Sequence, residues 1–588
     1  MERVLLHLQP AVLKKRMRLL SSNESLCAMQ SAIYKKQLMF NIQNYLPFLN
    51  WAKPNQASMR KDIVAGISVA LVMVPQAVAY AGLTNMPLVT GLYACLVPAL
   101  IATLFASASR LSIGPAALTC VLISASLMGM AEPGSSKWVN LAVWLSILSG
   151  LLQVCLGLGG LGWLLNLISA PVLMAFTQAA ALLIMVSQVP ALLGYKHLSW
   201  DELTFLFNLP FVQNPMAWGI TSLIFLLLAK KYIPKWPAIM FTVVISASLS
   251  YVLDYEAAVV GNMPAGLPQF YMPHWIEVDV FIQLIVPAMV IALVSFLETA
   301  SSAKIECQRS GQRWDDNQDL ISQGLAKLAS AFCGSFPTGT SFSRSALMLY
   351  AGAQSGWAVI ACVAFVLLSL LLLMPVLQFV PRAVLSAIVI SAVLGLFQPH
   401  QFLHLWRVSR AETVAAGITF VATLLTAPAI YWGVLVGVVL TLTHFLHHRL
   451  HPRIIEIGLH PDGSLRDRHL WTLPPLAPHL YAIRMDAEFD FAAASVLEKN
   501  LTEHLALHKD VLHVCIFALP INRIDATGVE IFAKLFKLFS DRKITLHISG
   551  LKLPVENVLR QSGHLKPDPY LKIYRTDADA LVALGQIK

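Results

Sequence analysis

An arginine stands in the stretch Ser341-Phe342-Ser343-Arg344-Ser345, just after the Gly/Pro/Ser-rich run Gly334-Ser335-Phe336-Pro337-Thr338-Gly339-Thr340 and at the head of a short apolar segment. A guanidinium at a helix start, beside hydroxyls able to cap that helix, is chemistry for holding an anion. At membrane depth its charge is expensive, so it needs a substrate anion, a carboxylate partner or a route to the interface. A second stretch, Gly114-Pro115-Ala116-Ala117, follows Ser112-Ile113 and opens another short apolar run. Proline suits the first helical position, and the free N–H groups of a helix start bind anions without a cationic side chain. The plain alternative is a proline-started helix packed in a bundle.

Glu298 lies inside the apolar run 286–303 with no basic residue near it in sequence, and it is the one acid that the sequence places deep in a span. Such a carboxylate can take up a proton or coordinate a cation; it can also be a permanently protonated or arginine-paired structural acid. Pro75-Gln76 interrupts the first run, and Gln76 and Tyr80, four apart, share a helix face that can line a cavity. His444, His447, His448 and His451 have helical spacing, but they fall where a last span meets water, and we assign no metal to them. Asp525-Ala526-Thr527-Gly528, between a strand-like and a helix-like stretch, reads as a turn and helix N-cap.

These residues need a membrane body to hold them. The chain has 588 residues, 57% of them hydrophobic and 13% charged, where a soluble protein carries about 25% charged residues. The deficit is concentrated between Asp62 and about His448, as a series of apolar runs. They cover 63–82, 89–105, 116–130, 138–158, 164–193, 218–228, 238–253, 280–302, 320–332, 343–350, 357–375, 383–397, 413–429 and 431–444, about fourteen spans. With a cytoplasmic N-terminus, this count puts Arg110, Lys230/Lys231/Lys235, Lys304/Arg309/Arg313, Arg407/Arg410 and Arg449/Arg453 on the cytoplasmic side. The opposite side receives Glu132–Lys137, Asp201/Glu202 and the loop 254–279, which has no Lys or Arg. The third and tenth runs are the two short ones, at equivalent places in two halves of seven. Paired interrupted segments mark the substrate site of an inverted-repeat transporter.

The net charge of +10 sits in clusters between apolar runs rather than in a stripe with aromatics, which excludes a nucleic-acid reading. Eight dispersed cysteines without a C-x-x-C pair give neither a zinc site nor a disulfide framework. Residues 1–55 read as a cytoplasmic extension, with a basic amphipathic helix drawn over Met1–Leu20. Residues 56–450 form the membrane domain and 451–477, with Pro474-Pro475 and Pro478 at its end, a linker. In 478–588, strand-like runs at 480–485, 511–517 and 544–548 alternate with amphipathic helices at 493–507, 527–539 and 555–561, a small α/β domain.

The chain resembles the sulfate permease family in Asp62-Ile63-Val64-Ala65-Gly66, Pro75-Gln76-Ala77-Val78-Ala79-Tyr80-Ala81, Gly91-Leu92-Tyr93, Ser109-Arg110 to Gly114-Pro115, Asn317-Gln318-Asp319-Leu320 and Gly339-Thr340-Ser341-Phe342-Ser343-Arg344-Ser345, in order from about residue 45 onward. The resemblance implies a uracil permease-like fold of seven-plus-seven inverted repeats, with core spans 1–4 and 8–11 and gate spans 5–7 and 12–14. An inorganic anion would sit between the facing starts of spans 3 and 10, near Gln76, Tyr80, Ala116, Ala117, Ser343 and Arg344, and elevator-like core motion would alternate access. Glu298 falls where related proteins keep a coupling acid.

The tail resembles a STAS domain. Asp525, Thr527 and Gly528 align with its regulatory loop, but Ala526 stands at the phosphorylated serine position, so a phospho-switch is not expected. The expected function is proton-coupled symport of sulfate or a similar oxyanion, with no cofactor beyond a co-transported proton or sodium. The alternatives are sodium-coupled bicarbonate uptake, anion exchange, or a scaffold or sensor acting through the STAS domain. A homodimer, a protein partner at the STAS domain and a bacterial inner-membrane location with both termini cytoplasmic complete the expectation. No nucleophile–base pair or metal cluster suggests an enzyme.

Overall fold

The structure is a computed structural model that describes residues 46–51, 54–195, 213–233, 236–264, 266–311 and 313–586. The Met1–Leu20 helix, Lys235 and the acidic pair Asp201/Glu202 lie outside the described residues. The chain forms two compact units that divide between Thr441 and Leu442.

The first half of the membrane unit comprises α1 (Gln56–Leu83), α2 (Leu88–Tyr93), α3 (Val97–Phe105), α4 (Ala117–Leu127), α5 (Ser136–Leu158), α6 (Ala170–Leu193), α7 (Pro215–Tyr232) and α8 (Ala238–Val252). The second comprises α9 (Val278–Ser310), α10 (Asp316–Phe332), α11 (Phe342–Tyr350), α12 (Trp357–Leu372), the single turn α13 (Met374–Leu377), α14 (Arg382–Val393), α15 (His400–Val408), α16 (Arg410–Leu425) and α17 (Tyr431–Leu450). Each of the fourteen apolar runs is helical. The run 89–105 breaks into α2 and α3 because Pro98 stands in the first turn of α3 and cannot continue a helix from before it. The amphipathic α15, which no long apolar run announces, exposes Leu403, Trp406 and Val408.

Packing interleaves the two halves. In one body α1 lies on α12, α5 on α9 and α10, and α3 on α10 and α12, while α4 and α11 rest on α9 and α1. The α1–α12 contact is the inverted-repeat counterpart of α9–α5, and α5–α10 that of α12–α3. A second set is built from α6 on α14 and α16 and α7 on α14. These two sets are the core and the gate. Helix association in lipid depends on close backbone approach, and α5 meets α10 through two glycines: a Cβ on Gly150 would lie 2.9 Å from the Gly324 carbonyl oxygen, and one on Gly324 2.6 Å from that of Gly150.

Buried acids lock the ends of the core. Asp62 accepts from the Gln354 N–H at 2.6 Å and the Ser355 hydroxyl at 2.6 Å, fastening α1 to the turn before α12. Asp319 accepts from the Ser107 N–H and the Trp314 indole, and Glu306 pairs with Arg110 at 2.9 Å.

Strands β1 (Ile113–Gly114) and β2 (Gly339–Thr340) lie in the membrane unit; the C-terminal unit is a six-stranded sheet in which Ile454–Leu459 stands between Leu465–Asp467 and Leu480–Met485, followed in order by His513–Phe517, Thr545–Ser549 and Leu571–Tyr574. Its strands are β3 (Ile454–Leu459), β4 (Leu465–Asp467), β5 (Leu480–Met485), β6 (His513–Phe517), β7 (Thr545–Ser549) and β8 (Leu571–Tyr574), with β5 to β8 parallel. Helices α18 (Ala494–Leu507), α19 (Ala526–Asp541), α20 (Leu553–Gln561) and α21 (Asp577–Leu584) cover it. The stretch 451–477, read as a linker, instead supplies the antiparallel hairpin β3–β4 that extends the sheet at β5. Its prolines follow β4 and mark only the connection to β5.

Two expectations follow. Gly324→Leu forces α5 and α10 apart, an overpacking cost of about 1–3 kcal/mol or more; the full-length protein in detergent should melt several degrees lower, read by temperature-dependent size exclusion. In the sheet, burial, then the charges of His513 and Lys572, push the His547 pKa down to about 4, and His504 and His513 are also lowered, chiefly by burial. The unfolded chain therefore binds more protons below about 6.5. The stability of segment 442–588 should fall as pH drops from about 6.5 toward 4, and His547→Gln should flatten that slope in urea titrations.

Candidate functional site

The site is organised by two very short strands, β1 (Ile113–Gly114) and β2 (Gly339–Thr340), paired antiparallel with Ile113 opposite Thr340 and Gly114 opposite Gly339. The Ser341 N–H adds a bond to the Ser112 carbonyl at 3.0 Å. Because the strands run antiparallel, α4 and α11 leave from opposite ends and their N-termini converge on the pair. Pro115 stands before the N-cap residue Ala116 rather than at the first helical position, so it steers the chain into α4 from outside. No side chain caps either helix. Ser341, expected to cap α11, is turned toward the Ser343 hydroxyl at 3.3 Å. Both helix starts thus keep first-turn N–H groups aimed at the site, with the partial positive charge of the helix ends.

Sequence reasoning grouped Ser343 and Arg344 as neighbours facing an anion, and the helix separates them. Phe342 and Ser343 are on the accessible side, whereas Arg344 is 1% exposed and points into the core. Its guanidinium donates from Nε to Ser112 Oγ at 3.2 Å, from Nη1 to Gln76 Oε1 at 3.2 Å and from Nη2 to the Pro115 carbonyl at 2.8 Å. All three acceptors are neutral and belong to the first half. Arg344 has no ion pair among the described residues, so neither a carboxylate partner nor snorkelling accounts for it. Its charge stands behind the two helix starts. Tyr80 is buried one helical turn beyond Gln76, within electrostatic reach of Arg344 and Glu298.

Glu298 reaches the same place from α9. Its buried Oε2 lies 3.5 Å from where a Cβ on Gly339 would stand, and Thr119 Oγ1 lies 3.0 Å from that point. A side chain at 339 would press on the Thr119 hydroxyl and stand in contact with Glu298. Glu298 Oε2, Thr119 Oγ1 and Thr338 Oγ1 are all buried without a partner in hydrogen-bond geometry among the described residues. Nearby, Thr299 of α9 and Thr340 of β2 share a hydroxyl–hydroxyl bond of 2.7 Å.

Glu298, half-buried with its Oε2 enclosed, is not the one acid in the core that the sequence suggested, since Asp62, Glu306 and Asp319 are buried there. Those three are committed to the locks described above, which leaves Glu298 as the acid at the centre. The residue overlooked was Lys327 of α10, fully buried. A charge within the apolar run 320–332 was the signal available for it.

A cavity of about 640 Å³ opens where α1 meets α6 and α14, lined by Gly82, Asn85, Gln188, Asn262, Arg382 and Ser386 among others. It stops short of Gln76, Tyr80, Arg344 and Glu298. In the C-terminal unit Asp525 is the N-cap of α19, accepting from the Gly528 N–H at 2.8 Å and, with its second oxygen, from the Phe491 N–H at 2.9 Å. Ala526 is exposed and Thr527 half-buried. Gly528 packs so closely on the Phe489 carbonyl that a Cβ would sit 2.1 Å from its oxygen.

Residues 59–419 match the model of the sulfate permease family, and residues 475–580 that of the STAS domain. Sulfate transporter 4.1, chloroplastic, of Arabidopsis thaliana is 30% identical over 565 residues, covering 90% of this chain and 81% of that protein. A probable sulfate transporter of Mycobacterium tuberculosis is 29% identical over 445 residues, 74% of this chain and 79% of its own. Among solved structures, the murine solute carrier 26 family member A9 anion transporter in the inward-facing state superposes with a TM-score of 0.80 at 19% identity, over 93% of this chain and 95% of that one. The transmembrane domain of a cyanobacterial bicarbonate transporter covers 66% of this chain and 98% of its own, with a TM-score of 0.56 at 17% identity. With the two inverted helix starts, the buried arginine between them and the C-terminal sheet, these matches make the chain a member of the sulfate permease family, a multi-pass membrane anion transporter that ends in a STAS domain.

Proposed function

We propose that this protein is a proton-coupled symporter of sulfate or a similar oxyanion. One observation carries the reading: two uncapped helix starts converge in front of a buried guanidinium whose partners are all neutral. The positive potential of that arrangement is uncompensated by protein carboxylates at the point of contact, and an oxyanion is its natural complement. Ala116, Ala117 and Ser343 would supply contacts at the helix starts, with Gln76 and Tyr80 closing the site from α1.

Energetics argue for coupling. An inside-negative potential opposes dianion entry by about 2.3 kcal/mol per charge per 100 mV. Glu298 answers this requirement: a carboxylate oxygen buried beside Thr119 and Gly339 can be neutralised by a proton that travels with the anion. Movement of the core (α1–α5 and α9–α12) past the gate (α6–α8, α14, α16 and α17) would carry both across. With the basic loops on the cytoplasmic side, the cavity near Arg382 faces the opposite side and would be the outer approach. The STAS domain then lies in the cytoplasm, where its exposed surface around Ala526 would engage a partner or a second copy rather than respond to phosphorylation.

Sodium in place of the proton is the second reading, and one observation favours it. Thr119 and Glu298 present unpartnered oxygens of the type that hard cations prefer, side by side against Gly339.

The expected outcome in proteoliposomes is radiolabelled sulfate uptake driven by an inward proton gradient at zero sodium. Glu298→Gln should lower that uptake at least tenfold while sulfate binding in detergent stays within a few-fold of the parent. Uptake that retains its proton dependence in this variant refutes the assignment of Glu298, and flux driven by a sodium gradient alone selects the second reading.

A further inference from the structure

Lys327 is buried in the middle of the core, and its surroundings do not resemble those of a structural lysine. It is 0% exposed. Where α10 crosses α5, its Cβ lies 3.1 Å from the point that a Cβ on Gly150 would occupy, so the close approach of those helices shuts the path by which a lysine stem reaches an interface. Its Nζ donates to Gln153 Oε1 at 2.8 Å, a neutral acceptor. An ammonium has three donors and a buried charge demands a counter-charge, yet Lys327 forms no ion pair among the described residues.

The connection of Lys327 to the site runs through Gln153. That side chain donates from Nε2 to the Ala292 carbonyl at 2.7 Å and to Ser295 Oγ at 3.3 Å, both on α9. Ser295 is three residues before Glu298, on the same face of the helix. Of the elements packed on α10, α3 carries no ionisable group and α5 presents Gln153 and Gly150 at this level. From α9 the ionisable group in reach is Glu298, because Glu306, two turns further on, is bound to Arg110. Arg344 of α11, Tyr80 of α1 and Cys120 of α4 are also within electrostatic reach of Glu298.

We propose that Lys327 is the second ionisable member of the coupling centre, so that the transported proton is held by a Glu298–Lys327 pair rather than by Glu298 alone. This rests on the proton-symport reading above. Without substrate the pair carries one proton fewer and is neutral overall, whether written as carboxylate with ammonium or as acid with amine. When a dianion arrives the pair takes up one proton and becomes acid with ammonium, a net charge of +1. Together with Arg344 this balances the two negative charges of the dianion, and release of the anion on the other side returns the proton. Two ionisable groups coupled in this way titrate as one unit with shared macroscopic constants.

The test uses full-length protein in proteoliposomes, with radiolabelled sulfate uptake followed as a function of pH and sulfate binding measured in detergent. Lys327→Met removes the positive neighbour of Glu298, and the midpoint of the pH profile should move upward by about one unit or more, the size of effect that a nearby opposite charge exerts. Gln153→Leu keeps the lysine and removes the acceptor of its ammonium, which disfavours the doubly protonated pair, and a smaller downward shift is expected. It also serves if the lysine variant fails to fold. The Glu298→Gln/Lys327→Met double variant should lose the pH dependence entirely and depart from additivity of the two single changes. Profiles of Lys327→Met and Gln153→Leu that superpose on the parent overturn the proposal and leave Lys327 a packing group. A parent protein without proton-driven uptake overturns the symport reading and this inference with it.

Discussion

A cation held at membrane depth must be solvated by something, and here the guanidinium of Arg344 is solvated by the opposite half of the fold. Its three acceptors come from α1 and from the approach to α4, while the arginine belongs to α11. Losing this contact would strand a charge in the core, a cost of several kcal/mol. The two halves are therefore obliged to interleave at this point. The reciprocal bond from the Ser112 N–H to Ser345 Oγ at 3.0 Å ties the same two segments a second time.

Much of the core architecture follows from that obligation. Two strands of two residues each are the smallest device that brings two helix starts together, and their antiparallel pairing makes the helices face one another. Such a pair is unstable alone, so the surrounding helices must clamp it. The Gly150–Gly324 crossing and the locks at Asp62, Glu306 and Asp319 do this at different levels of the core. The gate helices take no part in those locks. A tightly cross-linked body beside a second, separately packed one is the arrangement that rigid-body motion requires.

The C-terminal sheet obeys the same rule about helix starts in a different solvent. In water, Asp525 caps α19 with one oxygen and with the other holds the turn before α18 through the Phe491 N–H, and the residue beside it is an alanine. A capped start is structurally satisfied. The uncapped starts of α4 and α11 are not, which is the physical basis for proposing an anion site there and none at α19.

The membrane class, the positions of the helical runs, the two short segments at matching places and the strand–helix alternation of the tail were legible in the sequence, because they depend on local hydropathy, on proline and glycine chemistry and on periodicity. Gln76, Glu298 and Arg344 were legible as polar groups where polar groups are expensive. The partners of those groups were not. That Arg344 turns away from Ser343, that 451–477 extends the sheet at β5, and that Lys327 lies one glutamine away from the helix of Glu298 all depend on contacts between residues apart in the chain. By itself the sequence determined which residues cannot be left alone in the membrane; the tertiary structure decided what each one faces, because a buried charge is satisfied by whatever the fold brings to it and not by its neighbours in the chain.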